Sequence, residues 1–185
     1  MPIYIYGQRY NNMKTFGIFA CIKIGIMREE RIETKLTVCT LHELTPRERT
    51  LCEAAYEAAE NAYAPYSRFR VGAAVLLANG QVVTGSNQEN AAYPSGLCAE
   101  RVALFYATSR YPGISVEMLA LTAVSEGKQV EHISPCGGCR QVMTEVENRY
   151  KQPIKLLFCG RDEIVRLDSA EALLPLSFGD ADLPR

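Results

Sequence analysis

Three cysteines in two separated clusters constrain this chain more than any other feature: Cys98-Ala99-Glu100, and Pro135-Cys136-Gly137-Gly138-Cys139. Each cluster opens a stretch with helical spacing, so the three thiols converge only where two helix starts meet. Helix N-termini suit thiolates, because free backbone N–H groups and the positive end of the helix dipole stabilise negative charge. Three protein ligands leave a tetrahedral zinc ion one open position, the mark of a catalytic site rather than a closed structural one. That position can hold water, which zinc makes acidic enough to ionise near neutral pH. Glu100, two residues past the first thiol, is then the natural proton carrier. A lone Cys-x-x-Cys could instead be a redox pair or half of a structural zinc knuckle. The Cys-Ala-Glu cluster favours hydrolytic zinc chemistry, since no second Cys-x-x-Cys is present to close a structural site. His42 and His132 lack metal-motif spacing and read as surface or loop residues.

Composition narrows the partners. The chain has 185 residues and 48% apolar content, which makes one globular domain the default. Net charge is −1, from 20 Lys+Arg against 21 Asp+Glu, without a basic run. Nucleic-acid affinity rests on clustered phosphate-neutralising charge, so a small, nearly neutral ligand fits better and no nucleic-acid partner is expected. Seven cysteines in a chain too long to need disulfide staples indicate a reducing, cytoplasmic setting. Cys21, Cys39, Cys52 and Cys159 lie among apolar neighbours and read as small buried hydrophobes. Met1 to Asn12 is polar and Tyr-rich, and the apolar run from Phe16 to Ile26 is interrupted by Lys23. That run is too short to span a bilayer, and a signal peptide would need a basic start and a small-residue cleavage site. Residues 1–26 therefore read as a leader or upstream extension, with translation starting at Met27. No membrane partner is expected.

Local signals place the elements. Leu36 to Leu41 reads as a short edge strand. Thr45-Pro46-Arg47-Glu48 is a capping box with proline at the first helical position, and the helix should run to about Tyr63. Val71 to Leu77 and Gln81 to Gly85 read as a hairpin turning at Asn79-Gly80, and Asn87 to Gly96 as a loop. Helices follow over Cys98 to Ser109 and Cys136 to Tyr150, with strands at Met118 to Val124, Ile154 to Phe158 and Ile164 to Leu167. The alternation predicts an α/β fold: a three-layer α/β/α sandwich with a mixed five-stranded sheet.

These residues also carry a resemblance. Cys98-Ala99-Glu100-Arg101 with Pro135-Cys136-Gly137-Gly138-Cys139-Arg140-Gln141 resembles the homotetrameric, all-cysteine branch of the cytidine deaminases, zinc enzymes whose non-ligand glutamate is an acid/base. Ser67 to Ala74 is similar to that family's first strand, Asn87 to Tyr93 to its nucleoside loop, and Leu173 to Gly179 to its C-terminal segment. Together they cover roughly Thr45 to Leu183. The resemblance implies one Zn2+ per chain on Cys98, Cys136 and Cys139, and Glu100 moving protons to N3 of the pyrimidine. Substrate contacts would come from Phe69 on the base, Asn87 and Glu89 on the sugar hydroxyls, Tyr93, Ala99 and Phe178. It makes residues 31–185 a cytidine deaminase-like catalytic domain acting in pyrimidine salvage as a homotetramer. Arg101, by hydrogen-bonding to thiolate sulfurs, would draw charge from a site that three thiolates leave at −1 and so restore acidity to the metal's water. The residues alone leave other uses open: a turn that satisfies itself at Asn87 and Glu89, core packing at Phe69, a solvated Arg101. A bulkier cytosine nucleoside such as blasticidin S, or a non-catalytic zinc-binding module, are the competing functions.

Overall fold

A computed structural model describes residues 29–184, so the proposed leader and Cys21 lie outside the described residues. Helix α1 (Pro46–Ala59) starts at the capping box. The Thr45 hydroxyl oxygen accepts from the Glu48 N–H, and the Glu48 carboxylate accepts from the Thr45 N–H and hydroxyl at 2.9 and 2.8 Å. The helix ends at Ala59 rather than near Tyr63. Tyr63 is drawn elsewhere: its N–H donates to the Asn87 carbonyl, and its own carbonyl accepts from the Glu89 N–H. The segment that follows α1 thus fastens the loop that carries Asn87 and Glu89.

Strands β2 (Phe69–Leu77) and β3 (Val82–Ser86) form the expected hairpin, with Gly80 at φ +82° in its turn. On the other side of β2 lies antiparallel β4 (Val116–Ser125), and β6 (Lys155–Cys159) runs parallel to β4. Antiparallel β7 (Ile164–Leu167) follows, with β1 (Thr37–Cys39) at the edge. The order is β1-β7-β6-β4-β2-β3, and β5 (Lys128–Gln129) folds back on the end of β4. The sheet therefore has seven strands, which corrects the expected five. β1 is the short edge strand read over Leu36 to Leu41, left out of the count of five; β5, two residues long after a Glu126-Gly127 turn, is too short for any hydrophobic alternation to show.

Helices cover both faces. Ala73, Val75 and Leu77 of β2 join Ala103, Leu104 and Ala107 of α2 (Ala99–Arg110) and Met143 and Val146 of α3 (Gly137–Tyr150) in one core. The alternate residues Ala74 and Leu76 pack with Leu51, Cys52 and Ala55 of α1 in the other, where Cys39 and Cys159 are also buried as expected. Two glycines permit this closeness. A Cβ on Gly72 would strike the backbone of α1 at Ala55 and Ala59, and one on Gly85 would fall 2.6 Å from Ala103 N and 2.7 Å from Ala99 O of α2. Among the described residues no helix is long and apolar enough to cross a membrane.

Candidate active site

The start of α2 and the start of α3 meet, and the cysteines sit at that meeting point. Cys98 is the N-cap residue of α2, Cys136 the N-cap of α3, and Cys139 lies in the first turn of α3. Neither N-cap side chain caps its own helix, so both sulfurs are free to turn elsewhere. The Cys98 and Cys136 sulfurs are 3.8 Å apart, those of Cys136 and Cys139 3.4 Å, and all three lie within 4.8 Å of one another. A tetrahedral ion with zinc–sulfur bonds of about 2.3 Å needs sulfurs about 3.8 Å apart, so spacing and donor set both fit zinc. Without metal, hydrogen bonding from Cys139, helped by Arg101 and Cys136, brings the Cys98 thiol down to about 5. Cys139 is pushed up, first by its bond to Cys98 and then by burial, because it would have to ionise beside a thiolate. A divalent cation removes that conflict.

Two residues of the same helix turn surround the cluster. Glu100 is 3% exposed and lines the cleft next to the thiols. Burial raises its pKa, and the neighbouring Cys98 charge adds to the rise. Arg101 places Nη2 3.6 Å from the Cys98 sulfur.

The cleft holds about 580 Å³ and is walled by the start of β2, the loop before α2 and the approach to Cys136. Phe69, Asn87, Glu89 and Tyr93 all line it with Cys98, Glu100, Arg101 and Cys136. The Asn87 amide bridges to β2: its oxygen accepts from the Val71 N–H at 2.7 Å and its nitrogen donates to the Phe69 carbonyl at 2.9 Å. Glu89 accepts from the N–H groups of Tyr66 and Ser67, and the Ser67 side chain first of all holds its carboxyl below the ordinary range. Tyr93 is largely exposed at the mouth and meets Tyr66 edge to face at 6.3 Å.

Three of the sequence-selected residues do not line this cleft with their side chains, and of these Cys139 is buried behind it against the other two thiols. Ala99 is fully buried in the core under α2 and can offer only backbone atoms. Phe178 is 62% exposed and lies outside the cleft lining of its own chain. Residues that sequence reasoning passed over include Tyr66 and Ser67, which position Glu89, and Ile133 and Ser134 in the cleft wall. Arg140 and Gln141 stand inside the quoted motif without a role there. Here Arg140 donates to the carbonyls of Pro135 and Leu173, and Gln141 to that of Phe178, tying the tail to α3.

Known proteins resemble this chain. The family model for the cytidine and deoxycytidylate deaminase zinc-binding region matches residues 46–151. A cytidine deaminase of Mycobacterium tuberculosis is 44% identical over 131 residues, which cover 71% of this chain and 89% of that protein. One from Sporosarcina psychrophila is 42% identical over 128 residues, covering 69% and 88%. The crystal structure of cytidine deaminase from Burkholderia pseudomallei, 41% identical, aligns with a TM-score of 0.61 over 73% of this chain and 100% of that one. The matched region runs from the first residue of α1 past the last of α3 and so contains all three converging thiols and Glu100; the chain belongs to the cytidine and deoxycytidylate deaminase family.

Proposed function

We propose that this protein hydrolytically deaminates cytidine and 2′-deoxycytidine to uridine and 2′-deoxyuridine, with one zinc ion per chain on Cys98, Cys136 and Cys139. The observation that carries the reading is a buried carboxylate, Glu100, in the wall of the cleft where the three thiols converge. When bound, zinc supplies the Lewis acidity that lets water ionise near neutral pH. Glu100 moves the protons. Burial lifts its pKa toward the working pH, as suits a group that must both accept and donate. It takes a proton from the attacking water and delivers it to N3 of the pyrimidine, then takes a second proton from the new C4 hydroxyl and passes it to the C4 amino group, so that the C–N bond breaks, the carbonyl forms and ammonia leaves. A structural zinc site would have no need of this group, which weighs against a non-catalytic module.

The other side chains bind and orient. Phe69 packs on the base, and Tyr93 closes the mouth. Asn87 and Glu89, each already anchored to backbone, keep further donor and acceptor capacity for sugar hydroxyls. Ala99 offers its backbone at the start of α2, where N–H groups have no intrahelical acceptor. Arg101 offsets the charge of the thiolates. The catalytic domain is residues 31–185, a boundary supported by the compact unit that begins at Ile32. Its setting is pyrimidine salvage in the cytoplasm.

The active species is a homotetramer in which Phe178 completes a neighbouring subunit's pocket, supported by the exposure of Phe178 and Leu176 on a tail pinned to α3. The test of function is incubation with cytidine, followed by the fall in absorbance as uridine forms; zinc-loaded, folded protein without turnover would overturn the reading. For assembly, light scattering should give four times the chain mass. Inactive Phe178→Ala and Glu100→Gln proteins, dissociated and mixed, should regain activity; a fully active monomer would end that part of the proposal.

A further inference from the structure

The sheet face opposite the cleft holds a second set of thiols that the chemistry above does not use. Cys52 on α1 and Cys159 at the end of β6 are both buried, and their sulfurs stand 2.8 Å apart although the residues are 107 positions apart in the chain. Both are fixed in place. The Cys159 carbonyl accepts from the Thr122 hydroxyl at 2.8 Å and the Gln129 amide at 3.0 Å, and Cys52 is held within the core formed by α1 and its sheet face. Both also line a second cavity, of about 280 Å³, which they share with Glu53, Tyr56 and Arg161. A water molecule's share of liquid volume is about 30 Å³, so this cavity admits a reagent of that size to the sulfurs.

We propose that Cys52 and Cys159 form a peroxide-reactive dithiol site that closes to a disulfide stapling α1 to β6. One sulfur, as thiolate, attacks an oxygen of hydrogen peroxide. The O–O bond breaks, a sulfenic acid forms, and the departing hydroxide takes up the released proton as water. The second sulfur then attacks the sulfenic sulfur. The S–S bond forms, the S–O bond breaks, and the oxygen leaves as a second water with the protons of the sulfenic acid and the remaining thiol. Two thiols are oxidised by two electrons, and one peroxide is reduced to two waters. Contact between fixed sulfurs makes the second step intramolecular and aligned, so the sulfenic acid is resolved before further oxidation. While reduced, Cys159 is held above its ordinary thiol range, first by the Cys52 thiol and then by burial. Attack by Cys159 itself is therefore slow.

The test uses the zinc-loaded, full-length protein. After treatment with hydrogen peroxide, remaining thiols are alkylated under denaturing conditions and peptides are mapped with and without reduction. The expected result is a Cys52–Cys159 linked peptide together with a rise in Tm that reduction reverses, since a cross-link closing so long a loop constrains the unfolded chain. Neither should occur in Cys52→Ala, whereas Cys39→Ala, altered in the same core, should behave as the parent. Recovery of Cys52 and Cys159 as free alkylated thiols in the parent, or linkage of either to Cys39, would overturn the proposal without touching the deaminase reading.

Discussion

Replacing Gly85 by alanine tests how closely the sheet sets the metal site. The new Cβ would fall 2.6 Å from Ala103 N and 2.7 Å from Ala99 O, whereas ordinary contact begins at 3.4 Å. Both atoms are helix backbone and have no rotamer with which to yield, so α2 must retreat by about 0.8 Å or β3 must buckle. Such overpacking costs about 1–3 kcal/mol, which for a fold of this size lowers Tm by roughly 2–12 °C. The effect on activity should exceed the effect on stability. Cys98 and Glu100 flank Ala99 and move with α2, while Cys136 and Cys139 ride on α3. Retreat along the line between sulfurs would open the 3.8 Å Cys98–Cys136 spacing to about 4.6 Å, wider than a tetrahedral ion with bonds of about 2.3 Å can bridge. Displacements near 1 Å can cost about 100-fold in rate, so kcat/KM on cytidine should fall about 10–100-fold with reduced zinc content. The assay pairs a thermal melt, metal analysis and initial rates measured well below Tm. Gly137→Ala is the control, because a Cβ there meets nothing within 4 Å. A Gly85→Ala protein that melts early yet keeps full zinc and parental kcat/KM would refute the idea that this contact positions the site.

Glu100→Gln should keep the zinc and the fold but lose at least about 10²–10⁴-fold in turnover, since the amide cannot shuttle protons; activity within a few-fold of the parent would remove Glu100 from the chemistry. Cys136→Ala should lose most of its zinc while keeping the far-ultraviolet circular dichroism of the parent, and full metal retention with a normal fold would mean the ligand set is misassigned. Stability should fall in acid through Glu48. Burial opposes ionisation of its carboxylate, but hydrogen bonds from Thr45 and the Lys155 ammonium at 3.1 Å outweigh burial and leave its pKa lowered. The stabilisation is therefore complete above the unfolded value of about 4.3 and is lost as pH falls through the lower folded value; Glu48→Gln should flatten that limb of a Tm–pH curve, and an unchanged limb would assign it to other groups.

What could be read in advance was local. Thr45 and Glu48 announce α1 because a capping box is made within four residues, and Cys98 and Cys136 land on N-caps because their clusters sit where helical spacing begins. The thiols could be matched because few chemistries use that donor set. What could not be read depends on partners distant in sequence. Tyr63 leaves the helix for Asn87 and Glu89, and the backbone of Tyr66 and Ser67 settles the orientation of Glu89. Ala99, chosen by position in a motif, turns out to face the core. Cys52 and Cys159 read separately as buried hydrophobes, and only the fold brings their sulfurs into contact.

The C-terminal tail shows most clearly how hydrogen bonding and apolar exposure together bear on assembly. Glu147, buried on α3, accepts from the Ala170 N–H at 2.7 Å, the Glu171 N–H at 3.2 Å and the Ser169 hydroxyl at 2.6 Å, and from Ile154 N–H on the way into β6. Arg140 and Gln141 hold the carbonyls of Leu173 and Phe178 farther along. Hydrogen bonds to charged groups contribute about 1.5–3 kcal/mol each, enough to fix a backbone path against its conformational entropy. Ala170, Ala172 and Leu173 pack on the chain's own core, yet farther along the same path two apolar side chains stay open: Leu176 is 93% exposed and Phe178 62%. A tail needed only to finish one subunit's core would bury those groups and leave its backbone to water. The reverse arrangement, a pinned backbone presenting apolar side chains outward, suits a segment whose buried surface lies on another copy of the chain.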